Sequence, residues 1–358
     1  MPAQSARRAP CSAPMTQVNC ANAGPPKVNA GPTCKATKVN ATARGRGSPM
    51  RILALAGGGY LGLYTATVLA ELEKRVGEPL GRRFDLIAGT SVGAIAALAM
   101  AFEVPMQRVV RLFQGRGAEV FSPRARPRGT VTRLLDLSRS VLGPKYTGAA
   151  LREVLMRDLG RHVLGEAMHN VVIPAVDVTR SQTKVFKTPH TEQSTGDEDL
   201  AAVDVAMAAC AAPAYFPAVR IGDTLYADGG LFATAPDQVA LHEAEHFFGV
   251  PPERVTMLSV GTATESYRPD DSVAEDDGAI GWLTDGRLIL TLISVQQQHV
   301  EAMMEDRLGD RYLHLDAPWP RDAGLGIDVA TEEAAATLVA LGKATVAGAD
   351  FTRLAQFM

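Results

Sequence analysis

The chain is predicted to be an α/β protein whose central, mostly parallel sheet is covered by helices on both faces. Three observations predict this. Short apolar runs alternate with helix-period segments from residue 50 onward. Two of those runs, Ile52–Ala56 and Phe84–Ala88, stop at glycines, and a helix pattern starts at once. No internal repeat and no second compositional regime follows residue 50, so residues 50–358 read as one domain.

Residues 1–49 stand apart. They hold seven of the 36 Lys/Arg, none of the 39 Asp/Glu and almost no large apolar side chains, which predicts a disordered basic tail. An upstream reading-frame extension, with Met50 as the natural start, explains the tail equally simply. The remaining body is acidic and therefore poorly suited to general nucleic-acid binding. No apolar run is long enough to span a bilayer, so membrane contact is expected to be peripheral. Three cysteines lie in the tail and Cys210 is alone in the body, which favours a reducing cytoplasm and a buried, inert Cys210.

The body opens with a strand at Ile52–Ala56, the turn Gly57-Gly58-Gly59-Tyr60-Leu61-Gly62 and a helix over about Leu63–Arg75, carrying Leu63, Ala66, Val68, Leu69 and Leu72 on one side. Phe84–Ala88 supplies the returning parallel strand. It meets Gly89-Thr90-Ser91-Val92-Gly93, and an Ala/Leu/Ile/Met helix follows. Arg111–Lys145 reads as a long basic connection with one short helix at Val131–Leu142, in the manner of a lid or surface excursion. Helical spacing returns at Ala149–Leu159. Val171–Val178 is a buried strand, Lys184–Lys187 its partner beyond a turn, and 190–199 an exposed polar loop. An Ala-rich helix at Val203–Ala212 precedes a strand at Thr224–Ala227 that runs into Asp228-Gly229-Gly230. Val255–Val260 and Arg311–Leu315 are later strands, Trp282–Leu308 a long helix and Thr331–Val346 a closing helix.

Gly-x-Ser-x-Gly between a strand and a helix is the context of a nucleophile elbow, which would expose Ser91 and aim the first helical amides at a developing oxyanion. A serine hydroxyl needs a base. None of the seven histidines sits at a strand end beside glycines, whereas Asp228 is released from a strand into a Gly-Gly turn. An ordinary Asp-Gly turn is the structural alternative there. His242-Glu243-Ala244-Glu245-His246 matches the zinc-protease pattern but lacks a third ligand, and a solvated helix face is the expected reading, with no metal. The triple-glycine loop alone would also suit a nucleotide, yet no phosphate-loop Lys-Ser/Thr or ribose-binding acid accompanies it.

The order of the glycine loop, Gly89-Thr90-Ser91-Val92-Gly93 and Asp228-Gly229-Gly230, with Ala208–Pro217 between, resembles the patatin-like phospholipases from about Arg51 to at least Asp237. The resemblance implies a three-layer α/β/α fold and an acyl hydrolase working by a Ser/Asp dyad without catalytic cofactor. By position, Ser91 is the nucleophile, Asp228 the base, and the amides of Gly58 and Gly59 the oxyanion hole. Gly57, Gly62, Gly89, Gly93, Gly229 and Gly230 support these motifs. Ala56 and Leu61 stand where the family usually has an acid and a base, so the chain lacks those charges beside the hole.

The stretch Asp228–His246 and the late Gly309-Asp310-Arg311-Tyr312-Leu313 resemble, more narrowly, the bacterial antiphage-defence phospholipases switched on by cyclic dinucleotides. That likeness implies a cyclic dinucleotide activator, a membrane phospholipid substrate met peripherally at the inner face of the cytoplasmic membrane, and allows an oligomer. An unregulated lipid acyl hydrolase and a catalytically inactive interaction protein of the same fold are the alternatives.

Overall fold

The computed structural model describes residues 49–121, 143–194, 196–265, 267–268, 282, 286–320 and 323–358. The basic tail, the expected helix at Val131–Leu142 and most of the Arg111–Lys145 connection lie outside the described residues.

An eight-stranded sheet forms the centre. β1 (Met50–Leu55), β2 (Leu86–Gly89), β3 (Val171–Asp177), β7 (Val255–Val260) and β8 (Tyr312–Leu315) run in parallel, while β4 (Gln182–Lys187), β5 (Val219–Ile221) and β6 (Thr224–Asp228) add antiparallel pairings. The order is β5-β6-β3-β2-β1-β7-β8, with β4 also on β3. Alternation along β1 explains the layers. Leu53 and Leu55 enter one buried cluster, Ile52 and Ala54 another, and all four are fully buried.

The larger cluster packs α1 (Gly62–Val76), α2 (Val92–Ala101), α3 (Met106–Val120), α4 (Ala149–Leu159), α5 (Ala202–Ala209) and α8 (Glu332–Gly348) on one face. Across the sheet lie Ala240, Leu241 and Ala244 of α6 (Asp237–His246), with Val300, Met304 and Leu308 from the second half of α7 (Arg287–Leu308). A one-turn helix, α9 (Phe351–Leu354), ends the chain. The three-layer α/β/α arrangement is the one expected from the sequence.

Two readings are corrected. Residues 106–120, taken in part for the start of a connection, are a helix: Met106, Val109, Val110, Phe113, Gly117 and Val120 form a buried stripe that intervening Arg, Gln and Gly residues obscure in the sequence. The stretch 190–199 is not simply exposed, because His190, Ser194 and Asp197 turn inward. Asp197 accepts from Lys184 Nζ at 2.7 Å and from the Lys187 amide at 3.0 Å, which satisfies a carboxylate that is 9% exposed.

The strand registers explain why distant motifs meet. β3 gives one edge to β4 along Val172–Asp177. Its other edge is shared: β2 takes Val171–Val172 in parallel and β6 takes Ala175–Asp177 antiparallel. β2 and β6 therefore approach head-on, and their carboxyl ends, Gly89 and Asp228, converge. Pro174 occupies the changeover, where a residue without an amide leaves no donor unpaired. A Cβ on Gly229 would lie 2.3 Å from the Pro174 carbonyl oxygen, so the turn after Asp228 fits there only as glycine.

Candidate active site

β2 is buried throughout and delivers the chain to Ser91, whose backbone (φ 53°, ψ −124°) lies in a region that L-residues rarely adopt. Strain of this kind persists only where surrounding contacts enforce it. Thr90 supplies two: its amide donates to Leu55 O at 3.1 Å and its hydroxyl to Ala233 O at 2.7 Å. α2 begins at Val92, directly beyond the serine. A Cβ on Gly93 would come within 2.3 Å of Leu55 O, so only glycine lets this helix sit so close to β1.

Asp228 ends β6, opposite Ala175, and is 4% exposed. The Ser91 hydroxyl donates to Asp228 Oδ2 at 2.6 Å, and the Gly230 amide donates to Oδ1 at 2.7 Å. Burial pushes the carboxyl up to about 6, while the hydrogen bonds from Ser91 and Gly230 draw it back. It is therefore mostly ionised at neutral pH yet far more basic than an exposed aspartate. Cys210, expected to be buried, is 7% exposed, and burial followed by the Asp228 charge pushes its thiol up. All seven histidines are described, and none lines the cavity in front of Ser91.

The glycine loop faces this pair. The Gly57 amide donates to Thr234 O at 2.9 Å and that of Tyr60 to Ile327 O at 2.7 Å, while those of Gly58 and Gly59 have no acceptor among the described residues. Both line the cavity with Ser91. Gly59 has φ +60°, and a Cβ there would meet Ile327 O at 2.1 Å. Ala56 and Leu61, at the usually charged positions, are buried, with Leu61 fully inside the larger core cluster. Apolar packing seats the loop here.

The cavity itself is apolar, with Ile95, Leu112, Phe113, Val120, Phe216 and Ile293 among its walls. Phe121 and Phe216 of the lining meet edge to face, and Tyr60 meets Phe121 in the same way. At the mouth Leu231 and Leu292 are 55% and 45% exposed, and Phe232 and Val295 nearby in sequence are also exposed. Such a cavity suits an apolar ligand with Ser91 on its wall.

Sequence reasoning missed Gln296 of α7. Its side-chain oxygen accepts from the Thr234 amide at 3.1 Å and its amide group donates to Gly230 O at 3.4 Å, so it braces the turn that carries Asp228. A polar residue within a helix gives no such signal in sequence.

The His242/His246 pair has no third His, Cys, Asp or Glu beside it, among the described residues, to complete a metal site. The two rings stack on each other 4.8 Å apart, and Glu243 is turned into the core, where it accepts from Lys187 Nζ at 2.6 Å and pairs with His190 Nε2 at 3.0 Å. Burial works to raise the Glu243 carboxyl, but the hydrogen bonds from His190 and Lys187 outweigh it and hold it below its ordinary value. Among the described residues no group of His, Cys, Asp and Glu side chains could hold a metal ion.

The chain is 40% identical over 266 residues to a cGAMP-activated phospholipase of Pseudomonas aeruginosa, covering 74% of this chain and 77% of that protein. It is 31% identical to proteins of the same description from Escherichia coli, covering 82% of this chain and 88% of the relative, and from Vibrio cholerae, covering 85% and 92%. Residues 53–241 match the model of the family described as patatin-like phospholipase. The chain belongs to the patatin-like phospholipase family.

Proposed function

We propose that this lipid acyl hydrolase cleaves the ester bonds of membrane phospholipids with Ser91 and Asp228, within one catalytic domain over 50–358, and that a cyclic dinucleotide switches it on. The observation that carries the chemistry is the 2.6 Å hydrogen bond from Ser91 Oγ to a buried carboxylate at the floor of an apolar cavity. Activation is supported by the relatives, which are described as cGAMP-activated phospholipases.

In this reading Asp228 takes the hydroxyl proton as Ser91 Oγ attacks the ester carbonyl carbon. The carbonyl oxygen, now negative, receives the amides of Gly58 and Gly59. Collapse of the tetrahedral intermediate breaks the ester C–O bond, and the departing lysolipid alkoxide takes the proton from Asp228. Water then attacks the acyl-serine, giving its proton to Asp228, and fatty acid leaves as the proton returns to Ser91. No described helix is long and apolar enough to cross a membrane, and the exposed Leu231 and Leu292 at the mouth suit peripheral contact with a lipid surface. Acting there on the inner membrane fits the expected role in antiphage defence.

The test is release of fatty acid from phospholipid vesicles by wild type and Ser91→Ala, each with and without cGAMP, beside fluorophosphonate labelling. Labelling and release confined to wild type are expected, with release rising on addition of cGAMP. Equal release by the two proteins overturns the serine mechanism, and release unchanged by cGAMP leaves an unregulated hydrolase.

A further inference from the structure

Strands that run in parallel all end on one edge of their sheet, and four neighbours here end side by side: β2 just before Ser91, β1 at the glycine loop, β7 just before Gly261 and β8 just before Asp316. The register fixes this. Leu55 of β1 pairs with Val260 of β7, and Val260 pairs with Leu315 of β8. The turn after β7 therefore lies between the glycine loop and Asp316.

Asp316 holds that turn. Its Oδ1 accepts from the Ala263 amide at 2.6 Å and its Oδ2 from the Thr264 amide at 3.3 Å. A Cβ on Gly261 would lie 2.4 Å from the carboxyl carbon, so the carboxylate packs directly on that residue. The Gly261 amide donates to Leu315 O at 2.9 Å, and its carbonyl accepts from the Thr65 hydroxyl of α1 at 2.7 Å. Within this frame Ala263 has φ +60°, which an alanine rarely adopts. Such a conformation persists only where surrounding contacts impose it, and at Ala263 the contact is the Asp316 carboxylate.

What the turn presents is Thr262, which is fully buried. Its Cβ, Cγ2 and Oγ1 all lie within 2.9 Å of where a Cβ on Gly58 would stand, so its side chain packs on the Gly58 Cα. The glycine loop is tied at one end by the Gly57 amide to Thr234 O and at the other by the Tyr60 amide to Ile327 O. Two tethers fix the ends of this arc, and Thr262 supplies a third point of support at its middle. Hydrogen-bond donors aimed at a developing charge act by being in place beforehand, and a misplacement of ~1 Å costs about 10²-fold in rate.

We propose that Thr262 and Asp316 are positioning residues of the oxyanion hole: Thr262 seats Gly58 and so sets where the Gly58 and Gly59 amides point, and Asp316 locks the turn that presents Thr262. This rests on the reading of those two amides as the oxyanion hole. Their support acts on the charged intermediate and leaves the binding of the uncharged ester nearly unchanged.

The experiment measures kcat and KM on a soluble ester with cGAMP present throughout, for the full chain and its variants. It also measures the affinity of a long-chain trifluoromethyl ketone, whose adduct with Ser91 carries the oxyanion. Sites are counted by the endpoint of fluorophosphonate labelling, so misfolded protein drops out. Thr262→Ala opens a gap against Gly58 and is expected to lower kcat per site at least tenfold, weaken the ketone by a similar factor and move KM less than twofold. Thr262→Val refills the gap without the hydroxyl and is expected to recover most of that loss. Asp316→Asn keeps one acceptor but turns an amide donor towards a backbone N–H, and is expected to resemble Thr262→Ala; if it fails to fold, the two Thr262 variants decide. Thr262→Ala with kcat per site and ketone affinity within twofold of wild type overturns the proposal, as does valine performing no better than alanine. Either result leaves the serine mechanism standing, whereas ester hydrolysis by Ser91→Ala equal to wild type removes that mechanism and this proposal with it.

Discussion

Replacing Asp228 by Asn should make the protein inactive and more stable, and the stability gain should depend on pH in a way the site dictates. The carboxyl moves from its ordinary 3.8 to about 6 on folding, chiefly through burial. At ~1.36 kcal/mol per pH unit, the ionised side chain therefore disfavours the fold by about 3 kcal/mol above pH 6. The sign is the reverse of a salt-bridged aspartate. Below pH 4 both folded and unfolded chains carry the protonated acid and nothing is lost. Between pH 4 and 6 the unfolded chain releases its proton first, so stability falls as pH rises, and above 6 the penalty is complete. Asn keeps the shape and an acceptor for the Gly230 amide but never ionises. Urea unfolding of wild type and Asp228→Asn at pH 4 and pH 8 isolates the effect, because the fixed difference between an amide and a neutral acid cancels. The gap in favour of Asn should widen by more than ~2 kcal/mol from pH 4 to pH 8, while ester hydrolysis drops by about 10³-fold with loss of the base. A gap that is constant with pH, or that favours Asp at pH 8, would refute the claim that the carboxyl is held desolvated for use as a base.

Further consequences can be checked by simple means. The pH profile of kcat/KM on a soluble ester should rise through about 6 and level off above it, as Asp228 ionises; an acid limb near 4 would remove the raised carboxyl. Gly59→Ala puts a Cβ 2.1 Å from Ile327 O at φ +60°, so unfolding free energy should fall by about 2 kcal/mol or more and serine labelling should fade in the folded fraction. Glu243→Ala strands Lys187 and His190 in the core and should lower stability by about 3 kcal/mol, whereas a strong chelator should leave hydrolysis untouched. Phe232→Asp adds charge to the exposed apolar residue next to Leu231 in the chain and should cut vesicle hydrolysis several-fold, with soluble ester hydrolysis little changed.

Much of this architecture is legible in the sequence because its strands are short apolar runs closed by glycine or Asp-Gly, and each such signal reports local backbone chemistry. Ser91 and Asp228 stand out for the same reason: both sit where a strand must turn sharply. α3 is less visible, since its buried stripe is interleaved with Arg108, Arg111, Arg116 and Gly115. The three-residue β5 pairs, among the described residues, only with β6 and is too short to show a period. Gln296 is invisible for a deeper reason. Its meaning comes from contacts with residues 230 and 234, more than sixty positions away, and no spacing within one segment encodes such a meeting. The register of β6 against β3, which brings Asp228 to Ser91, is likewise a property of the assembled sheet.

That shared edge of β3 works as a ruler. Ser91 and Asp228 are 137 positions apart in the chain, yet each is indexed to the same short strand, Ser91 through Ala88 on Val172 and Asp228 on Ala175. A slip of β6 by one residue would move its side chains by ~3.3 Å and reverse which face each one occupies, taking Asp228 away from the serine altogether. Reactivity of Ser91 towards a covalent probe therefore reports on strand alignment as well as on chemistry: any ligand, variant or refolding condition that disturbs the seating of β6 on β3 will be read out at the serine before secondary structure content changes.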